Sequence, residues 1–273
     1  LVAKLVDAAD KIDANFAAIV GTPVPAVIGT DYQALKRMCE KKTDLPILAI
    51  DTDGMELYDK GEEKAYLALF TAFAKEKYEV CKEKVGILGM TPQDVSDLKA
   101  ADKVREELKK EGKEAICYGM GDGLEAVERA SEVGKNIVVS AAALEVAKYL
   151  EKTFGTPYEI GYPAAGELVP NLDYQGKKIL VVHQHVMAEA IRQEILKREN
   201  SAEVQTATWF MRKKELACPQ DVSLREEDDY VDLVKNGGFD IIFADACMEK
   251  MVPDFQGIFV NTRHFAVSGR LCE

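Results

Sequence analysis

The chain has 273 residues, 47% of them hydrophobic and 30% charged, which suits a soluble globular protein of one or two domains with a sizeable core. Its formal net charge of −12 argues against nucleic acid and against an anionic membrane surface as partners, because both select for clustered Lys and Arg. No apolar run reaches the roughly 18 residues of a membrane span and no charged-then-apolar leader is seen, so the expected location is cytoplasmic.

The chain starts at Leu1 inside a helix-like pattern, which suggests a piece of a longer protein. Strand-like runs follow at Phe16–Val20, Pro46–Asp51, Lys84–Met90, Glu114–Tyr118, Lys135–Val139, Lys177–His183, Glu203–Trp209, Phe239–Ala244 and Gly257–Asn261. Several are continuous apolar runs, as expected of strands covered on both faces. Helical patterns fill the intervals. Asp59 with Glu62 and Ser223 with Glu226 resemble capping boxes, and Thr91-Pro92 offers a helix start with Asp94 in its first turn. Tyr66, Leu69, Phe70 and Phe73 recur at helical spacing as one buried stripe. Arg225 to Asp229 reads as the solvated first turn of a helix. The alternation predicts an α/β fold of multiple doubly wound, Rossmann-like domains with parallel sheets. A charged stretch at 75–84 and a Pro- and Gly-rich stretch from Tyr162 to Gly176 suggest units over 1–80, 81–166 and 167–273.

Six cysteines (Cys39, Cys81, Cys117, Cys218, Cys247, Cys272) are spread without a CxxC pair, which fits reduced thiols rather than a disulfide framework. Gly121-Asp122-Gly123 follows a strand and opens a helix. It reads either as an anion-holding loop or as a tight turn with Asp122 capping the helix; the GxGxxG spacing of a dinucleotide site is absent.

The order of these segments carries a resemblance. Gly-Asp-Gly after a strand, then Asn136 with two aliphatics, then Tyr149-Leu-Glu-Lys-Thr-Phe-Gly-Thr-Pro-Tyr158, resembles the nitrogenase component 1 family. Its members include dinitrogenase subunits, cofactor-assembly scaffolds and the dark-operative protochlorophyllide reductase type. Thr22-Pro-Val-Pro-Ala-Val-Ile-Gly-Thr-Asp31 is similar to the family's Thr-Cys-x-x-x-Leu-Ile-Gly-Asp-Asp stretch, and Phe239 to Ser268-Gly269 resembles the last strand pair of the catalytic subunit.

That resemblance implies a nitrogenase-like oxidoreductase subunit or fragment. It would hold an iron–sulfur or related metal cluster, or a tetrapyrrole-like substrate, between domains. Its partners would be an ATP-dependent iron–sulfur reductase and a sister component 1 subunit in an oligomer. The alternative is a non-catalytic cofactor-assembly scaffold or carrier; a two-lobed metal receptor is a third reading. Carried over by position, the bridging-cluster cysteine falls at Pro23, the cofactor cysteine at Ser140 and the cofactor's lysine contact at Met248, so dinitrogen reduction is not expected. The cofactor's histidine falls at His264, the candidate catalytic residue and metal ligand. Cys247 is a second candidate metal ligand. Gly121, Asp122, Gly123, Ser140, His183 and His185 are candidate cofactor-binding residues, gathered where strand ends place site residues. Each has a plainer alternative: Cys247 packed under a helix, and His183 and His185 bonded to backbone.

Overall fold

A computed structural model describes residues 2–9 and 11–271. Cys272 lies outside the described residues. Among the described residues the strands are β1 Ala17–Val20, β2 Ile47–Ile50, β3 Cys81–Leu88, β4 Glu114–Cys117, β5 Val133–Val138, β6 Tyr158–Ile160, β7 Lys178–Val182, β8 Glu203–Thr208, β9 Val222–Ser223, β10 Ile241–Ala244 and β11 Ile258–Asn261. Between them lie α1 Val2–Ala9, α2 Pro23–Val27, α3 Tyr32–Glu40, α4 Tyr58–Phe73, α5 Pro92–Val95, α6 Ala100–Lys110, α7 Leu124–Glu128, α8 Leu144–Phe154, α9 His185–Arg198, α10 Glu227–Gly237, α11 Ala246–Glu249 and α12 Phe265–Ser268. All nine expected strands form; β6 and β9, three and two residues long, are additional.

Every strand pairing among the described residues is parallel. β1 and β2 pair alone, the middle sheet has the order β4-β3-β5-β6, and the last sheet has the order β11-β10-β7-β8-β9. Both larger sheets are doubly wound: strand order reverses between β3 and β5 in one and between β7 and β10 in the other. Such switch points open a crevice at the carboxyl ends of their two strands. β10 is buried along its whole length and β7 over its last four residues, as the continuous Ile, Leu, Val and Phe runs require of strands with helices on both faces.

One core joins the middle and last sheets. Ile87 and Ile137 of the middle sheet belong to the same buried cluster as Ile179, Val181 and Phe243 of the last, with Tyr162 and Tyr174 of the connection between them. Helix α4 follows β2 and packs on α8, and its Tyr66 and Phe70 enter the core of the middle sheet. It therefore carries the end of the N-terminal unit onto the rim of the middle one.

Two expected capping boxes fall elsewhere. Leu57 is the N-cap position of α4, which leaves Asp59 and Glu62 inside the helix with both side chains buried. Ser223 ends β9, and the capping box of α10 is formed by Glu226 with Asp229. The helix started by Thr91-Pro92 is a single turn ending at Ser96, the one non-glycine residue with positive φ (54°) among the described residues. Its hydroxyl accepts the Phe265 amide, which ties this left-handed residue to the start of α12.

Candidate functional site

The carboxyl-end loops of all three sheets meet at one point. After β2 the chain reaches Tyr58 at the start of α4; after β3 it reaches Asp94; after β10 and β11 it reaches Asp245 and His264. The Tyr58 hydroxyl donates a short hydrogen bond to Asp94 Oδ1 and lies 2.8 Å from His264 Nε2. A hydroxyl has one proton to donate, so the network assigns Nε2 of His264 as the N–H that donates to Tyr58. The bonds run in one direction: His264 to Tyr58 to Asp94.

The imidazole of His264 is held on every side. Its backbone amide donates to Asp245 Oδ2 at 2.9 Å, and the Ser268 hydroxyl donates to the same oxygen at 2.8 Å. His183, at the end of β7, stacks on it with ring centroids 4.2 Å apart and an angle of 12°. Phe210 meets its ring edge-on at 5.0 Å and meets Tyr58 at 4.8 Å. The loop bearing Phe210 is fastened to α4 by the Met211 amide donating to Asp59 and by Lys213 Nζ 3.2 Å from Glu63.

The site is acidic and buried. Burial pushes the Glu62 carboxyl up to about 8, and the nearby Asp94 carboxylate adds to the rise. Asp59 is raised mainly by burial as well, and Tyr58 is raised strongly by burial and by Asp94. His183 is held well below the ordinary imidazole value by burial and by the facing His264 ring. That suits its bonds: Nδ1 accepts the Gln184 amide at 2.9 Å and Nε2 donates to the Arg263 carbonyl at 3.2 Å. Burial would raise Asp245, but the Cys247 and His264 amides and the Ser268 hydroxyl hold it below the usual carboxylate range.

The remaining candidates are placed apart from this centre. His185 opens α9 and accepts the Lys213 amide at Nδ1 (2.9 Å), so it does not form a pair with His183. Asp122 accepts the Cys117 amide at 2.6 Å and Arg105 Nη2 at 2.8 Å; it locks the turn after β4, while Gly123 is the N-cap position of α7. Gly121 has φ +105°, and a Cβ there would meet Arg105 at 2.7 Å. Asp122 and Gly123 line a cleft of about 300 Å³ that has no residue in common with the cleft at His183. The Ser140 hydroxyl accepts the Ala142 amide at 3.2 Å, and its Cβ packs against Gly89, whose φ of +87° permits the approach. Cys247 packs into the core of the last sheet, and its thiol is pushed up to about 11 by burial and by Asp245. Tyr58, Glu62 and Asp94 were not among the expected site residues. Their signal was an acid one turn after a tyrosine on an otherwise apolar helical stripe.

These residues do not fit a resident metal cluster. Nε2 of His264 is bound by Tyr58, the Cys247 thiol is kept protonated, Ser140 caps a helix and Pro23 begins α2. Among the described residues no group of three or more His, Cys, Asp or Glu side chains is arranged to hold a metal ion. The cleft beside the centre, lined by Asp94, Lys103, Tyr162, His183 and Arg263, is about 220 Å³. That is below the roughly 300–1,000 Å³ common for drug-sized ligands.

Residues 1–164 match the family model described as nitrogenase component 1 type oxidoreductase. The chain belongs to this family. Among solved structures, nitrogenase Cp1 at pH 6.5 is similar with a TM-score of 0.66 at 15% identity, covering 95% of this chain and 72% of that one. Nitrogenase Cp1 at pH 5 is similar with a TM-score of 0.67 at 14% identity, covering 94% and 68%. At such identity these two matches establish the component 1 fold and nothing finer. No match is found among curated protein sequences. Among the described residues of this component 1-type chain, no helix is long and apolar enough to cross a membrane.

Proposed function

We propose that the chain is a component 1-type oxidoreductase subunit that acts on a small guest at the strand-end crevice and supplies a proton through His264. The single observation carrying this reading is the Tyr58–Asp94–His264 arrangement at the junction of all three sheets. Tyr58 and Asp94 are positioning residues. They hold Nε2 of His264 in its protonated form, so proton exchange with a guest runs through Nδ1, and Asp94 stabilises the imidazolium formed in the exchange. His183 forms a wall of the 220 Å³ cleft, with His264 stacked behind it and Phe210 against the edge of its ring.

Electrons come, in this reading, from an ATP-dependent iron–sulfur reductase, and a sister component 1 subunit completes the assembly in the cytoplasm. Family membership supports both partners. The donor set weighs against a scaffold that carries a metal cluster, because that role needs a ligand group not found among the described residues. The test is to mix anaerobic protein with the reduced reductase and ATP and follow oxidation of the reductase. ATP-dependent oxidation that falls about 10²-fold in His264→Ala is expected. No oxidation by the intact assembly contradicts the reading.

A further inference from the structure

We propose that His185 is an acid-sensitive latch, a neutral imidazole that holds the loop at 209–221 on the site and releases it when Nδ1 takes a proton. The inference does not rest on the oxidoreductase reading, since it concerns what keeps Phe210 against His264.

The loop joins β8 to β9 and lays Phe210 on the edge of the His264 ring. Two of its backbone amides are fastened to side chains of helices. The Met211 amide donates to Asp59 of α4, and the Lys213 amide donates to Nδ1 of His185, at the start of α9, at 2.9 Å. Lys213 Nζ adds a contact of 3.2 Å to Glu63. Of the two amide acceptors only the imidazole is abolished by acid. A protonated Asp59 keeps a carbonyl oxygen that accepts, whereas an imidazolium has two N–H donors and no acceptor.

The tautomer follows from the same bond. Because Nδ1 accepts the Lys213 amide, Nε2 carries the proton of the neutral ring. That N–H is buried and has no hydrogen-bond partner among the described residues. The residue is 1% exposed, so a second proton adds another enclosed donor, aimed at an amide N–H.

The charged groups facing the ring do not accommodate that proton. Arg192 stands on α9 itself, paired there with Glu189; Arg212 and Lys213 stand on the loop, and Asp221 at its end. Asp221 Oδ1 is taken by Arg192 and the Thr206 amide, and its Oδ2 by the Cys218 amide. Burial holds the His185 imidazole below its ordinary value of 6.5; Asp221 opposes this and the two arginines add to it. The unfolded chain takes the proton near 6.5 and the folded chain only lower. The latch is therefore intact above 6.5 and is lost as pH falls through the lower folded value.

Hydrogen exchange of the whole chain, read by peptide mass analysis and corrected for the intrinsic pH dependence of amide exchange, tests the latch. Between pH 7.5 and 5 the protection of the 210–217 amides is expected to fall about tenfold for each pH unit below the midpoint, the linkage of one proton, while β7 and β10 keep theirs. In His185→Asn, whose Oδ1 stands near the place of Nδ1 and takes no proton, the loop stays protected throughout. Loop protection that is flat with pH in the wild type, or that falls equally in His185→Asn, overturns the proposal. So does a simultaneous loss across β7 and β10, which is global unfolding. A nitrogen NMR titration of His185 in the wild type is the second measurement. Its midpoint is expected to coincide with the loss of loop protection, and a separate midpoint overturns the latch.

Discussion

Tyr58 and His264 stand 206 positions apart in the chain, yet the Tyr58 hydroxyl lies 2.8 Å from His264 Nε2. The contact exists because two switch points face each other across a common core and α4 brings a third rim between them. Everything proposed for the site follows from that junction.

Replacing Tyr58 with Phe removes the hydroxyl that joins His264 to Asp94. Turnover with the partner reductase is expected to fall 10- to 100-fold, roughly the worth of a positioned acid–base group. Stability should drop by only about 1 kcal/mol, because the ring and its edge contact with Phe210 stay. Reductase oxidation and thermal unfolding, measured on the same samples, separate the two effects.

Glu62 ties stability to pH. Its carboxyl is held near 8 in the folded chain against an ordinary value of 4.5, so the folded state binds more protons through that window. Its contribution is intact below 4.5 and is lost as pH rises through 8. Glu62→Gln removes this slope, leaving the variant more stable than the wild type at pH 8.5 by about 2–4 kcal/mol. Urea unfolding at pH 5, 7 and 8.5 checks the sign.

The loop carrying Phe210 is anchored by a buried ion pair, Arg192 with Asp221, in which both side chains are almost completely enclosed. Asp221 also accepts the Thr206 and Cys218 amides. Asp221→Ala leaves a buried guanidinium without that partner and is expected to cost about 3–5 kcal/mol, read by denaturant unfolding.

Cys247 is expected to resist alkylation. With its thiol near 11, the thiolate fraction at pH 8 is about a hundredfold below that of an ordinary cysteine. Iodoacetamide labelling followed by peptide mass analysis measures it against Cys81.

Much of the architecture was legible in the chain. The apolar runs at Ile47–Ile50 and Ile241–Ala244 gave strands where they were expected, because burial on both faces leaves a continuous hydrophobic signature. β6 and β9 were missed since two or three residues carry too little pattern. The site was only half legible. His264 and His183 stood at strand ends, where the crevice rule directs attention, but Tyr58, Glu62 and Asp94 read locally as a helix start and first-turn acids. Only the contact of Tyr58, at the start of α4, with Phe210 and His264 and the packing of α5 on α12 turn those residues inward, and no local spacing encodes that approach. The Gly121–Gly123 turn had the opposite fate. Gly121 is required by its backbone geometry, with φ +105°, and Asp122 is occupied by Cys117 and Arg105 rather than by a guest.

The most direct test is the nitrogen NMR spectrum of His264 in anaerobically purified, histidine-labelled protein. The account predicts a proton on Nε2, hydrogen-bonded to oxygen, whose resonance shifts in Tyr58→Phe. An Nε2 that carries no proton and is bound to iron would contradict it.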